Sequence, residues 1–203
     1  MPSLDLRLFL KIPFVYSSYQ YLVGGIKARH LFIKNHTNIK KGEKVLDIGC
    51  GPGDILEFLP EVDYTGFDVD KNYINTAKSK YTNHKFQCAD VKTFNLEHPE
   101  TFDIVIATGV LHHLNDSECL TLFNLAKKAL KPNGRFVSLD GCYIPNQNKI
   151  SKFLIDKDRG EFIRTPNEYQ TLAQSSFNTI TSTVEEHYFR IPYTLAILHC
   201  SNQ

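Results

Sequence analysis

Tryptophan is absent from this 203-residue chain, methionine occurs once, and the five cysteines include no CxxC pair. Cys50, Cys88, Cys119, Cys142 and Cys200 are scattered and odd in number, which excludes a closed disulfide framework and a paired-cysteine metal or redox motif. Free thiols in a reducing compartment follow, and with them a cytoplasmic location. An excess of one charge is also missing. Lys and Arg total 23 against 22 Asp and Glu, so no net basic field draws the chain non-specifically to nucleic acid. Long apolar runs are lacking as well. The aromatic segment from Leu8 to Val23 is interrupted by Lys11, Pro13 and Gln20, and no small-residue cleavage site follows it. It reads as neither a signal peptide nor a spanning helix, and suits at most peripheral contact with a membrane surface. Repeats and low-complexity tracts are absent.

What the chain does have is length for one domain with a real core, and a regular alternation of strand and helix patterns. Its central stretch is Lys44-Val45-Leu46-Asp47-Ile48-Gly49-Cys50-Gly51-Pro52-Gly53-Asp54. An apolar, partly β-branched run enters three alternating glycines, and a helical pattern resumes at Ile55. A ligand lying across such a turn must approach the backbone with no Cβ in the way, and the helix beyond offers free N–H groups. The stretch is a cradle for a nucleoside ligand.

Upstream, the pattern predicts helices over 4–14 and 16–36, with Gly24-Gly25 marking a break in the second. Downstream it predicts a helix to about Leu59, strands over 64–68, 85–89 and 102–108, and helices over 70–81 and 116–130, the first capped by Asp70. The strand FDIVIAT is almost wholly apolar, the mark of a central parallel strand buried on both faces. Pro132-Asn133-Gly134 is predicted to turn the chain into a strand over 135–139. From 140 to 165 the rhythm lapses into a lid or binding element. A helix over 166–175 and two strands over 178–183 and 187–200 complete the chain. Their short connection makes that last pair antiparallel at the sheet's edge. The whole is an open α/β sheet with helices on both faces.

In such sheets ligands lie beyond the carboxyl ends of the strands, where Asp68, Asp90, Thr108-Gly109 and Asp140 follow the second to fifth strands. Asp68, about twenty positions beyond the glycine loop, suits both ribose hydroxyls, and Asp90 is placed to receive the exocyclic amine of a base. The alternative for each is a cap or turn former. A dinucleotide fits poorly, because Asp54 stands where the phosphate-binding pattern needs a small residue and would oppose a pyrophosphate. Asp47 points to a cationic group instead. S-adenosylmethionine, an adenosine with an α-ammonium and no phosphate, fits better.

These residues resemble the class I S-adenosylmethionine-dependent methyltransferases. VLDIGCGPG is similar to that family's first motif, YTGFDVD to its ribose-binding strand end, QCADV to its adenine-binding strand end, and FDIVIATGVLHHL with LKPNGRFVSLD to its fourth and fifth strands. The resemblance spans about 44–140. It implies a seven-stranded, mostly parallel sheet of order 3-2-1-4-5-7-6 with strand 7 antiparallel. It further implies that Asp47, Gly49, Cys50, Gly51 and Gly53 surround the methionine moiety, Asp68 and Val69 the ribose, and Asp90 and Val91 the adenine, with Thr108 at the next strand end. The chain then divides into a helical lid segment over 1–43, a cofactor core over 44–140, a substrate-side insertion over 141–165, and a last helix with the terminal strand pair over 166–203.

On the acceptor side, His112 and His113 diverge by about 100° on a helix and so do not ligate one metal; no metal is expected. His113 is the candidate general base and His112 a substrate contact, against the alternative that LHHL packs and caps its turn. Tyr16, Asp140 and Tyr143 are further substrate candidates. Arg159 and Arg164 offer guanidinium forks for a carboxylate or phosphate, or else pair with local acids. The reading is methyl transfer to an oxygen or nitrogen of a small or medium-sized, partly apolar acceptor. Two others compete with it, a methyltransferase acting on RNA or protein and a non-catalytic cofactor-binding partner. Oligomeric state is not legible.

Overall fold

Strand β1 (Lys44–Ile48) is buried from Val45 onward, and β4 (Phe102–Thr108) carries four consecutive residues, Ile104 to Ala107, with no exposed surface at all. Alternate side chains of these strands enter opposite layers, as the period of a strand requires. Leu46, Val105 and Ala107 pack with Leu122, Phe123 and Tyr169 on one face, whereas Val45, Ile104 and Ile106 pack with Phe32, Ile55 and Ile74 on the other. Burial on both faces explains why the sequence of β4 shows no polar alternation.

The computed structural model describes residues 25–158 and 160–202. Helix α1 is described from Gly25 (Gly25–Phe32) and passes into a π-helical turn (Ile33–Thr37) that ends on Asn38 in the left-handed region. After β1 come a 3-10 turn (Asp54–Phe58), β2 (Asp63–Asp68), α2 (Lys71–Lys80), β3 (Lys85–Cys88) and β4. A second 3-10 turn (Leu111–His113) leads to α3 (Asp116–Ala129), β5 (Leu130–Gly141), α4 (Lys149–Asp156), α5 (Pro166–Ala173), β6 (Thr179–Glu185) and β7 (Leu195–Ser201). The seven strands form one sheet of order β3-β2-β1-β4-β5-β7-β6. All pairings are parallel except β5 with β7 and β7 with β6, as the sequence predicts for the terminal pair.

Local chemistry explains the helix boundaries. Asp70 caps α2 by accepting from the N–H groups of Asn72 and Tyr73, and Asn115 with Glu118 and Thr165 with Glu168 form reciprocal capping boxes on α3 and α5. Elsewhere the structure departs from the expected pattern. The Pro132-Asn133-Gly134 stretch is a bulge within β5, because pairing jumps from Phe102 with Leu130 to Ile104 with Arg135. The last strand starts at Leu195 and not at 187, beyond Pro192, which has no N–H to give a ladder. The lapse over 140–165 contains a helix, α4, capped by Asn148. Tyr16, Gly24, Arg159 and the helix expected over 4–14 lie outside the described residues.

Candidate functional site

The carboxyl ends of the parallel strands β1 to β5 open on one edge of the sheet, and the glycine loop crosses the end of β1. The carbonyl of Phe67 accepts from both Gly49 N–H (2.8 Å) and Cys50 N–H (3.0 Å), which ties the loop to β2. Gly49 sits at φ 71°, and a Cβ there would come within 2.5 Å of Val110 Cγ2, so both conformation and space demand glycine. Gly51, at φ 54°, would place a Cβ in open space. That open side leaves the Gly51 backbone accessible from outside the loop.

Two carboxylates flank the loop. Asp68, at the end of β2, accepts from Gly51 N–H through Oδ2 (2.9 Å) and from Asp70 N–H through Oδ1 (2.8 Å), which fixes its plane beside the glycines. Asp47, inside β1, is 1 % exposed; its Oδ2 accepts from the Tyr64 hydroxyl at 2.6 Å, while its Oδ1 has no partner. Burial pushes the Asp47 carboxyl up to about 7, against the Tyr64 hydrogen bond that lowers it, and the charge of Asp68 adds to the rise. Cys50 turns inward, and its Sγ lies where a Cβ on Gly66 would need to be. Burial pushes its thiol well above the ordinary range, so only the backbone of Cys50 serves the loop.

Beyond β2, Val69 is 70 % exposed next to Asp68. Beyond β3, Asp90 is exposed, and its Oδ1 accepts from Lys92 N–H, Thr93 N–H and the Thr93 hydroxyl, a local turn whose backbone donors hold the carboxyl below its usual range. Val91 packs half-buried against the core and Thr108 is half-buried at the end of β4. Gly53 is buried under the Tyr81 ring.

The histidine pair divides differently from the sequence expectation. His113 is exposed on its 3-10 turn, with its ring 4.1 Å from that of His112. His112 is buried, and its Nδ1 lies 2.9 Å from Oδ1 of Asp140, a 1 % exposed carboxylate at the end of β5. Its Nε2 is 3.5 Å from Oδ1 of Asp158. Burial disfavours the imidazolium, yet the hydrogen bond and charge of Asp140, with the charge of Asp158, outweigh it and hold His112 above its ordinary value. Asp158 in turn accepts from Tyr193 Oη (2.9 Å) and Gly160 N–H (2.9 Å), and Gly160 is pressed so closely on the His112 ring that a Cβ there would overlap it.

Arg164 corrects an expectation. It is 8 % exposed, and its guanidinium donates to Asp116 and to the carbonyls of Leu111, Leu114 and Phe162, so it braces the turn after β4 and has no fork left for an acceptor. Tyr143 gives its hydroxyl to Asp156 (2.9 Å) and, with Ile144, Asn146, Gln147 and Lys152, lines a cavity of about 590 Å³ between the end of β5 and α4. Asp140 is buried and faces His112, and the cavity is lined by other residues.

Three participants escape sequence reasoning: Tyr64, Asp158 and Tyr193. A signal exists for Tyr64. It is in register with Val45, so it shares a face with Asp47, and Gly66 opposite Asp47 leaves room for its ring. Asp158 and Tyr193 carry none, since they meet only through the return of the chain from β6.

A family model described as a methyltransferase domain matches residues 39–188. The ubiquinone biosynthesis O-methyltransferase of Idiomarina loihiensis is 33% identical over 110 residues, which are 51% of this chain and 44% of that protein. Phosphoethanolamine N-methyltransferase 3 of Arabidopsis thaliana is 30% identical over 166 residues, 77% of this chain and 33% of that protein, so the chain spans less than half of either relative. Among solved structures, a phosphoethanolamine N-methyltransferase 2 of Haemonchus contortus, in complex with phosphomonomethylethanolamine and S-adenosylhomocysteine, shares the fold at a TM-score of 0.76 and 16% identity, over 96% of this chain and 58% of that one.

Proposed function

The chain belongs to the class I S-adenosylmethionine-dependent methyltransferases, and on that footing we propose that it methylates an oxygen or nitrogen of a small, partly apolar acceptor. The observation that carries the reading is the clasp between Asp68 and Gly51 N–H, which holds one oriented carboxylate beside the open backbone of Gly51. Asp68 would take the ribose hydroxyls, with Val69 over the sugar and Asp90 and Val91 toward the base. Gly49, Gly51 and Gly53 with the Cys50 backbone would border the methionine part. The unpartnered Oδ1 of Asp47 supplies the negative field that suits an ammonium, and Thr108, at the end of the neighbouring strand β4, would complete the rim.

When bound, the cofactor supplies a methyl group already activated on a sulfonium, so alignment of the acceptor accounts for much of the acceleration. The chain's own part is to align the acceptor and to take its proton. For that second role His112, oriented by Asp140 through Nδ1 with Nε2 toward Asp158, stands beside the exposed His113. Tyr143 and Ile144 offer the acceptor an aromatic and an apolar side in a wide-open cavity beside α4. The segment over 141–165 is thus the substrate-side insertion. Named relatives that act on small molecules point the same way.

Incubation with methyl-labelled S-adenosylmethionine tests this, with phosphoethanolamine and a catechol as probe acceptors. Label should enter one of the probes, and Asp68→Ala should raise the cofactor concentration needed for half-maximal transfer by about fivefold or more. Label entering only RNA or protein would overturn the choice of acceptor class.

A further inference from the structure

We propose that the outer face of α4 docks on an anionic lipid surface. Ile150 is 57 % exposed and Phe153 59 % exposed, an unusual pair of large apolar side chains to leave in water on one eight-residue helix. Neither is free to turn inward. The opposite face is fixed by buried Ser151 and Ile155, by the Ser151 Oγ to Thr194 Oγ1 contact of 2.7 Å, and by Asn148 capping the first turn. At 100° per residue, Phe153, Lys157 and Ile150 fall in one sector, with Lys149 on its flank. The lysines are exposed, and among the described residues Lys149 and Lys157 make no ion pair.

The pattern is that of a short interfacial helix, with apolar side chains entering the headgroup boundary and flanking cations meeting lipid charge. Charge favours this occupant over a neutral partner. The helix and its C-cap carry Lys149, Lys152 and Lys157 against Asp156, which is already paired with Lys152 at 2.9 Å. Asp158 is turned toward Tyr193 and away from this face, Glu186 is exposed beside Thr194 on the Ser151 side of the helix, and Glu161 is exposed beyond its C-terminal end. At eight residues α4 is too short to cross a bilayer, so the contact it makes lies at the surface. Lys152 also lines the cavity beside Tyr143, so a docked α4 brings that cavity to the lipid boundary.

Co-sedimentation of the full chain with vesicles reads this without methyl transfer, so its failure is separate from failure of the functional reading. Vesicles of phosphatidylcholine with phosphatidylglycerol should pellet the wild type, and pure phosphatidylcholine should not. The Ile150→Ser, Phe153→Ser double variant should partition roughly 30-fold less, from the loss of two apolar anchors. Lys149→Ala with Lys157→Ala should lose roughly 25-fold. Unchanged S-adenosylmethionine affinity shows that the variants are folded, and the lysine variant stands as the test if the apolar one is not. Absence of wild-type binding to anionic vesicles overturns the proposal. So does wild-type-like binding by both variants, which would place the contact elsewhere, or a dimer in analytical sedimentation that the apolar variant abolishes, which would make the occupant a second copy.

Discussion

At Asp47 a carboxylate is kept in a strand interior with one oxygen on Tyr64 and the other unpartnered. Its folded state holds a proton more tightly than the unfolded chain, so stability falls as pH rises from the ordinary 3.8 toward about 7. A bound cation reverses that preference by favouring the carboxylate. S-adenosylmethionine should therefore bind more tightly as pH rises through neutrality, and calorimetry across a pH series should lose that slope in Asp47→Asn. His112 has the same sign, although its charged form is the one its partners favour. Its value is raised in the fold, so its contribution is full below the unfolded value and is lost as pH rises through the folded one. Histidine NMR should show it titrating above free histidine in the wild type and falling in Asp140→Asn. If it takes the acceptor's proton, His112→Asn should lower kcat by about 100-fold or more and leave cofactor affinity unchanged.

Among the elements, the turn after β4 depends on Arg164 and the insertion depends on α4. Removing the guanidinium leaves the Leu114 carbonyl with only the weak Cys119 thiol donor, takes one of the donors from the Leu111 carbonyl and unpairs Asp116, so Arg164→Ala should cost about 1–3 kcal/mol in denaturant unfolding. Asn148→Ala should cost about 1 kcal/mol by uncapping α4. The same two elements mark the limit of what the sequence discloses. Strands β1, β2 and β4, the cap at Asp70 and the antiparallel end pair are written in local apolar runs and capping residues, and all are legible. A guanidinium surrounded by carbonyls is indistinguishable in sequence from one awaiting a ligand, because its partners come from a turn about fifty positions earlier. The helix at 149–156 is hidden for another reason: its buried face is only Ser151 and Ile155, and its outward apolar residues break the expected periodicity. His112 and His113 are adjacent, and only the register of β5 beside β4 decides which of them meets Asp140.

For the molecule as a whole, the sheet brings residues from five strand ends to one edge, and the cradle there rests on a loop that tolerates no side chain at Gly49. Gly49→Ala should leave the fold cooperative and remove cofactor binding, as near-ultraviolet dichroism and calorimetry would show. The donor half of the site is legible because backbone geometry and carboxylates at strand ends are set by short segments. The acceptor half proposed above draws on the long return through α4 and the approach to β7, surface connections whose partners are distant in sequence. The central claim is that Asp68 and the glycine loop hold S-adenosylmethionine. Isothermal calorimetry of wild type and Asp68→Ala tests it most directly. The wild type should bind the cofactor one to one, and the variant should bind it about 1–3 kcal/mol more weakly; wild-type protein that takes up no cofactor, or a variant of unchanged affinity, would contradict it.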